Sequence, residues 1–226
     1  MIRALTFDAA GTLIRPVPSY GGVYSRVTAE FGLRIPAEWF AEEFARAFRA
    51  VPWPLETSPE IERAQWEKVV RRLHDALPGD LDFTRWFRAV YSAFARKESW
   101  TPEPGAVETL QALRALNLRI AVLSNWDERL FPVLEAHALA PLVDRILIPP
   151  HTGWRKPAPE MFAEACRRLG SHPAETLHVG DSPDEDIAGA RAAGLHAVHY
   201  RPGEPPALTR LVNLLHSPLL AQKPQE

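Results

Sequence analysis

The 226-residue chain predicts a doubly wound parallel α/β sheet carrying an inserted α-helical unit. Three observations lead there. Short runs rich in Val, Ile and Leu alternate with segments of helical period, the signature of parallel strands joined by crossover helices. The first two such runs lie about a hundred residues apart, far more than one crossover needs, so something is inserted between them. Within that gap, aromatic residues recur at helical spacing.

The first strand is expected over residues 2–8, an apolar run ending in Asp8. Residues 15–20 then lead into the insert. There Phe40, Phe44 and Phe48 share one face, Trp66, Val69, Val70 and Leu73 a second, and Trp86, Val90, Tyr91 and Phe94 a third. Such stripes predict the insert's own core, with one or two rings turned towards a ligand as the lesser reading. Thr101-Pro102-Glu103-Pro104-Gly105 marks the return, because proline breaks a helix and stiffens a connection. The chain thus divides into a core of residues 1–16 and 101–226 and a helical insert of residues 17–100. Further strands are expected at 118–124, 145–148, 176–181 and 196–200. Helices are expected at 106–116, 128–138, 157–169 and 184–193, with Gly170 and Gly194 where C-caps belong. The proline-rich run 201–206 closes the sheet region, 207–216 adds a helix, and the last ten residues fray.

A 46% hydrophobic composition is enough for one sizeable core. The single cysteine, Cys166, excludes an intrachain disulfide. The N-terminus lacks the features of a signal peptide, and no apolar stretch reaches the roughly 18 residues of a membrane span. A net charge of −2 offers no field for nucleic acid or an anionic membrane. The expectation is a cytoplasmic protein whose partner is a small molecule, with neither nucleic acid nor membrane involved. Its oligomeric state leaves no trace in the sequence.

Three expected strands end in polar residues: Asp8, Ser124 and Asp181. Ligands of open α/β sheets bind outside the carboxyl ends of the strands. Each residue alone suits a helix N-cap. Together, with Lys156 entering from a fourth loop, they point to a site.

Four motifs in this order resemble the haloacid dehalogenase superfamily, in its helical-cap branch. They are Asp8-Ala9-Ala10-Gly11-Thr12 behind an apolar strand, Ser124-Asn125 after Val122-Leu123, Lys156 in Gly153-Trp154-Arg155-Lys156-Pro157, and Gly180-Asp181-Ser182 followed by Asp186-Ile187-Ala188-Gly189-Ala190. The resemblance spans nearly the whole chain. It implies a Rossmann-like core and a mobile helical cap that closes over the site and excludes water. It implies that Asp8 is a nucleophile forming a covalent aspartyl intermediate, which water releases. Ser124, the backbone of Asn125, and Thr12 would bind a phosphorylated substrate, and Lys156 would neutralise charge on Asp8 and substrate. If Asp8, Asp181 and Asp186 converge, three carboxylates repel and raise their own pKa values. A hard cation removes that conflict, and Mg2+ suits Asp8, Asp181 and the Ala10 carbonyl, with Asp186 beside them. Part of the run Asp184-Glu185-Asp186 equally suits a helix N-terminus through its dipole.

One position departs from the pattern. Phosphatases of the superfamily usually carry a second aspartate two residues after the nucleophile, as acid and then base, where this chain has Ala10. Such a group contributes roughly 10²–10⁴-fold, or about 3–5 kcal/mol of barrier. The expected reaction is therefore hydrolysis of a small phosphate ester or anhydride with a good leaving group. Asp-x-Ala-Gly-Thr also resembles phosphonoacetaldehyde hydrolase, whose cap lysine forms a Schiff base, making Lys68 and Lys97 the candidates here. A 2-haloacid dehalogenase is a further alternative, needing neither second aspartate nor magnesium, and Asp181 and Asp186 speak against it. A non-catalytic module binding a phosphorylated ligand or a protein is another. His151 is a candidate for supplying the missing proton, otherwise a loop histidine. His178 is expected to be structural, Cys166 to lie in the core, and Trp126 to flank the substrate or pack under the cap.

Overall fold

The N-terminal apolar run forms β1 (Ala4–Phe7), with all four residues buried, at the centre of a five-stranded parallel sheet. The computed structural model describes residues 1–202 and 208–215. After β1 come β2 (Ile14–Pro16) and four helices, α1 (Tyr20–Ala29), α2 (Ala37–Arg49), α3 (Pro59–Asp75) and α4 (Phe83–Ala93). The chain returns through β3 (Trp100–Pro102) and continues as α5 (Ala106–Ala115), β4 (Arg119–Leu123), α6 (Leu130–Ala136), β5 (Arg145–Leu147), α7 (Pro149–Thr152) and α8 (Pro159–Leu169). It closes with β6 (Thr176–Gly180), α9 (Gly189–Ala192), β7 (His196–His199) and α10 (Leu211–Leu215).

The sheet order is β5-β4-β1-β6-β7, so β1 has β4 on one side and β6 on the other. That is the point where strand order reverses and a ligand crevice opens. Phe7 pairs with both Val122 and Val179, which levels Asp8 with Leu123 and Gly180 and puts Ser124 and Asp181 one residue further out. The three polar residues therefore emerge side by side.

The expected strands and core helices stand within a few residues of their predicted places, with one exception. Over 184–193 the chain first makes a wide π-turn, Pro183–Ala188, and only then enters α9. The two connections to the insert meet as a ribbon. β2 and β3 pair antiparallel, with Ile14 opposite Pro102 and Pro16 opposite Trp100. Proline is tolerated there because a two-stranded ribbon has free edges.

Helix α1 is absent from the sequence expectation because Gly21 and Gly22 fill its first turn with poor helix formers. Ser19 compensates as N-cap, its Oγ accepting from the Gly22 N–H at 3.0 Å. Gly21 is buried against α2, where a Cβ would run into the Ala37 carbonyl. Tyr24 stacks on Phe40 at 5.6 Å between centroids, and the Trp86 indole donates to Thr28 Oγ1 at 3.0 Å.

One apolar cluster runs from Leu5 and Phe7 through Leu13 and Trp100 into Tyr24 and Trp86, so sheet and insert share a continuous interior. A second cluster on the other sheet face joins Ala121 and Leu123 to Phe162 and Cys166 of α8, placing the cysteine in the core as expected. Truncating a fully buried ring such as Phe162 to Ala costs about 3–5 kcal/mol. Leu208 and Leu211 are buried at the start of the last helical stretch, in line with the helix expected over 207–216. Most of the proline-rich closure, and the last ten residues expected to fray, lie outside the described residues. No helix among the described residues is long and apolar enough to cross a membrane.

Candidate active site

Asp8 follows β1, its N–H donating to the Val179 carbonyl at 2.9 Å and its side chain nearly enclosed. Lys156 Nζ, equally buried, donates to Asp8 Oδ1 at 2.6 Å and to Asp186 Oδ1 at 2.5 Å. The lysine is held through its main chain. Asn125 Nδ2 donates to the Lys156 carbonyl and Asn125 Oδ1 accepts from the Lys156 N–H, both at 2.8 Å. His178 Nε2 lies 3.0 Å from Asp186 Oδ1, and its Nδ1 lies 2.8 Å from Thr6 Oγ1. Asp186 Oδ2 accepts from the Ser182 N–H at 2.9 Å.

The π-turn makes this possible. Ile187 N–H reaches back five residues to the Ser182 carbonyl, which widens the turn and directs Asp186 inwards. Two glycines leave room for the acids. A Cβ on Gly180 would meet the Asp186 carboxylate, and one on Gly11, whose φ is +101°, would meet Asp181. One oxygen each from Asp8, Asp181 and Asp186 fall within 4.8 Å of one another.

Charge is unevenly distributed across the cluster. Burial pushes the Asp8 carboxyl up to about 7 against the opposing pull of Lys156, with Asp186 and Asp181 adding to the rise. Burial and then Asp186 also raise Asp181. For Asp186, burial works against ionisation, but Lys156 and His178 outweigh it and hold the carboxyl below the usual range. Burial likewise opposes the Lys156 charge, and Asp186 with Asp8 outweighs it, so the ammonium is held more firmly than in water. Burial pushes His178 down. Asp186 and Lys156 form the settled ion pair, and Asp8 and Asp181 carry the unrelieved repulsion.

A hard cation fits that repulsion. Ala10 lines the same space, and its carbonyl accepts no hydrogen bond among the described residues. Asp186, by contrast, has both oxygens engaged by protein groups.

Above Asp8 and Asp181 opens a cavity of about 320 Å³. Ser124 and Asn125 line its floor, and no hydrogen bond among the described residues engages the Ser124 hydroxyl or the Asn125 N–H. Its walls are mainly aromatic and include Tyr20, Phe44, Phe48, Trp66 and Tyr91 of the insert, with Trp126 of the loop after β4. Two arginines complete them. Arg129 grips Asp127 with Nε at 2.8 Å and Nη2 at 2.7 Å, and its guanidinium lies 4.0 Å over the Tyr91 ring. Arg155 Nη1 donates to Glu62 Oε2 at 2.5 Å, with both side chains almost wholly buried, and its guanidinium lies 4.2 Å over Trp53. Thr57 Oγ1 donates to the other Glu62 oxygen at 2.9 Å. Backbone bonds from Thr57 N–H to the Gly153 carbonyl and from Arg155 N–H to the Leu55 carbonyl seal the same seam, next to Lys156.

The structure thus brings Asp8, Ala10, Ser124, Asn125, Asp181 and Asp186 to one cavity, with Lys156 directly behind. Thr12 is buried, and its hydroxyl donates to Asp181 Oδ1 at 3.4 Å rather than facing the cavity. His151 does not reach the site. Exposed on α7, it stacks on Phe131 and sits 3.4 Å from Glu128 Oε1. Lys68 and Lys97 are exposed and away from the cavity, so neither is placed for a Schiff base. More rings of the insert face the cavity than the one or two expected, because its helices share their apolar faces between their own core and the crevice. Trp126 both lines the cavity and packs on Trp100, with centroids 4.5 Å apart. His178 is a core histidine that also braces Asp186, a role hidden in a fully buried strand. Tyr20 and Arg129 have no signal in the sequence, and Arg155 stands there only as a neighbour of Lys156 in its motif, with no role of its own. Glu62 stands 93 residues before Arg155, and no local pattern links them.

Residues 2–194 match the family model of the haloacid dehalogenase-like hydrolases. The chain is 31% identical over 210 residues to haloacid dehalogenase-like hydrolase domain-containing protein 3 of Bos taurus, covering 90% of this chain and 84% of that one. It is also 31% identical over 210 residues to a ribulose-1,5-bisphosphate 5-phosphatase of Halopiger xanaduensis, covering 90% and 87%. A solved dehalogenase structure superposes with a TM-score of 0.74 at 25% identity, over 96% of this chain and 98% of that one.

Proposed function

Because the chain belongs to the haloacid dehalogenase-like hydrolase family, and so is a hydrolase, we propose that it is a magnesium-dependent phosphohydrolase. Its substrate is a small phosphate ester or anhydride with a good leaving group. The observation that carries this reading is Asp8, held 2.6 Å from Lys156 inside a three-carboxylate cluster at the floor of a cavity. The phosphatase named among the relatives supports it. Halide displacement needs no cation, and the carboxylate cluster favours phosphoryl transfer over it.

In this reading an Asp8 oxygen attacks phosphorus, the bond from phosphorus to the leaving-group oxygen breaks, and phosphoaspartate forms. Lys156, the Ser124 hydroxyl and the Asn125 N–H receive the phosphoryl oxygens. Asp8, Asp181 and the Ala10 carbonyl would hold Mg2+, with Asp186 orienting Lys156 behind them. The ion supplies charge compensation for the carboxylates and the phosphoryl group. At Ala10 no acid is present to protonate the departing oxygen, so the leaving group must be stable as an anion. Water then cleaves phosphoaspartate without an aspartate base at that position. Residues 17–100 act as a cap on a core of 1–16 and 101–226, moving about the β2–β3 ribbon to admit substrate and exclude water.

A leaving-group series tests the proposal. Aryl phosphates should turn over about a hundredfold faster than alkyl phosphates, with a product burst, phosphate mass on the Asp8 peptide, and loss of turnover on chelation. Ala10→Asp should raise the alkyl rate and shorten the life of the intermediate. Equal rates without a burst, and indifference to chelator, would overturn the reading.

A further inference from the structure

The walls of the cavity are far more specific in character than its floor. Ten aromatic side chains line a volume of only about 320 Å³. That volume is at the lower end for small-molecule pockets, so it admits a compact body attached to the phosphate rather than a chain or a polymer. Tyr20 and Phe44 lie nearly parallel, 5° apart in plane, and Phe48, Trp66 and Tyr91 extend the same wall. Flat apolar surfaces reward flat apolar ligands by area and by ring–ring contact. A polyol would bury hydroxyls against these rings, and each hydroxyl left unpaired lowers affinity by about tenfold.

The two arginines at first suggest a seat for a second phosphate, but their charges are already spent. Arg129 is clamped by Asp127 and Arg155 by Glu62, so the four groups together carry no net charge. A dianionic phosphate there would face two carboxylates as well as two guanidiniums. What each arginine still offers is N–H donors. Arg129 Nη1 and Arg155 Nη2 donate to no acceptor among the described residues. Polarised N–H groups without net charge suit a carbonyl or ring nitrogen.

We infer that this cavity selects a phosphate monoester whose leaving group is a flat, uncharged aromatic or heteroaromatic ring bearing a hydrogen-bond acceptor, and that it discriminates against sugar bisphosphates. The inference rests on the phosphohydrolase reading for the orientation of the phosphate. It separates this chain from its relative that acts on ribulose 1,5-bisphosphate.

Calorimetric titration of the full chain with Mg2+ tests it, using phosphonates that cannot be turned over. Benzylphosphonate should bind about tenfold or more tighter than methylphosphonate, and 4-acetylbenzylphosphonate tighter again by several-fold. Propane-1,3-bisphosphonate should bind within about threefold of methylphosphonate. Phe44→Leu should remove several-fold of the benzyl advantage and leave methylphosphonate unchanged. Equal affinity for benzyl and methyl, or tightest binding of the bisphosphonate, would overturn the inference. Because binding needs no turnover, benzyl selectivity without any phosphoaspartate would refute the phosphohydrolase reading alone. A burst with aryl phosphate but no benzyl selectivity would refute this inference alone.

Discussion

On the sheet side of the cavity, Asp8, Lys156, Asp181 and Asp186 are tied to named partners by directional bonds, whereas on the insert side flat rings are held in place mainly by burial. Asp186 alone answers to Lys156, His178 and the Ser182 backbone. Phe44 and Phe48, by contrast, touch other rings at centroid distances near 6 Å. A directional network permits one geometry, while ring packing permits many of similar energy. Chemistry therefore belongs to the floor and choice of substrate to the wall, and the two can be altered separately.

The strongest test of that separation is Asp8→Asn, which keeps the shape of the floor and removes the nucleophile. Turnover should fall by at least about 10⁴-fold, while benzylphosphonate affinity stays within about tenfold, since the wall is untouched. Steady-state rates and calorimetry on one preparation measure both. Activity within tenfold of the parent protein would move the nucleophile elsewhere.

The seam between floor and wall comes next. Glu62→Gln strands the Arg155 charge in an enclosed site, and removal of one partner from a buried pair costs about 3–5 kcal/mol. Denaturant midpoints should register that loss. Replacing both residues by apolar ones, Glu62→Leu with Arg155→Met, should recover much of it. A loss below about 1 kcal/mol would mean that solvent screens the pair and that the seam is held by its backbone bonds alone.

The same division explains which parts of the molecule were legible in the sequence. Asp8, Ser124 and Asp181 could be read because an apolar run in a parallel sheet stops where the strand stops, and its next residue faces the crevice. Asp186 was legible as an acid, but its inward direction depends on a π-turn that helical periodicity does not announce. The stripes of the insert revealed which faces are apolar, and periodicity says nothing about whether protein or ligand covers a face. Arg155 and Glu62 meet only through the packing of α3 against the loop before Lys156. His151 shows the converse failure: closeness in sequence to Lys156 suggested reach, and α7 carries it to the surface instead.

The smallest expected effect probes the floor from within, through protons. Burial, reinforced by Asp186 and Asp181 against the pull of Lys156, lifts Asp8 from the ordinary 3.8 to about 7. The fold thus favours the protonated carboxyl, and this contribution to stability is full below about pH 4 and is lost as pH rises through about 7. Asp186 runs the other way. Held below its ordinary value, it contributes stability above the usual carboxylate range that is lost only in stronger acid, so its window lies below that of Asp8. Burial and then Asp186 raise Asp181 as well. If Mg2+ binds at Asp8 and Asp181, it must displace the Asp8 proton. Its apparent affinity should fall by about tenfold per pH unit below about 7 and level off above it. Calorimetry in buffers of differing ionisation enthalpy should detect about one proton released per ion at pH near 6 and almost none near 8.5. Phe44→Leu, on the wall, should leave the whole profile in place. An affinity that stays flat across this range would mean that the cation does not use Asp8, and the floor would lose its claim to the metal.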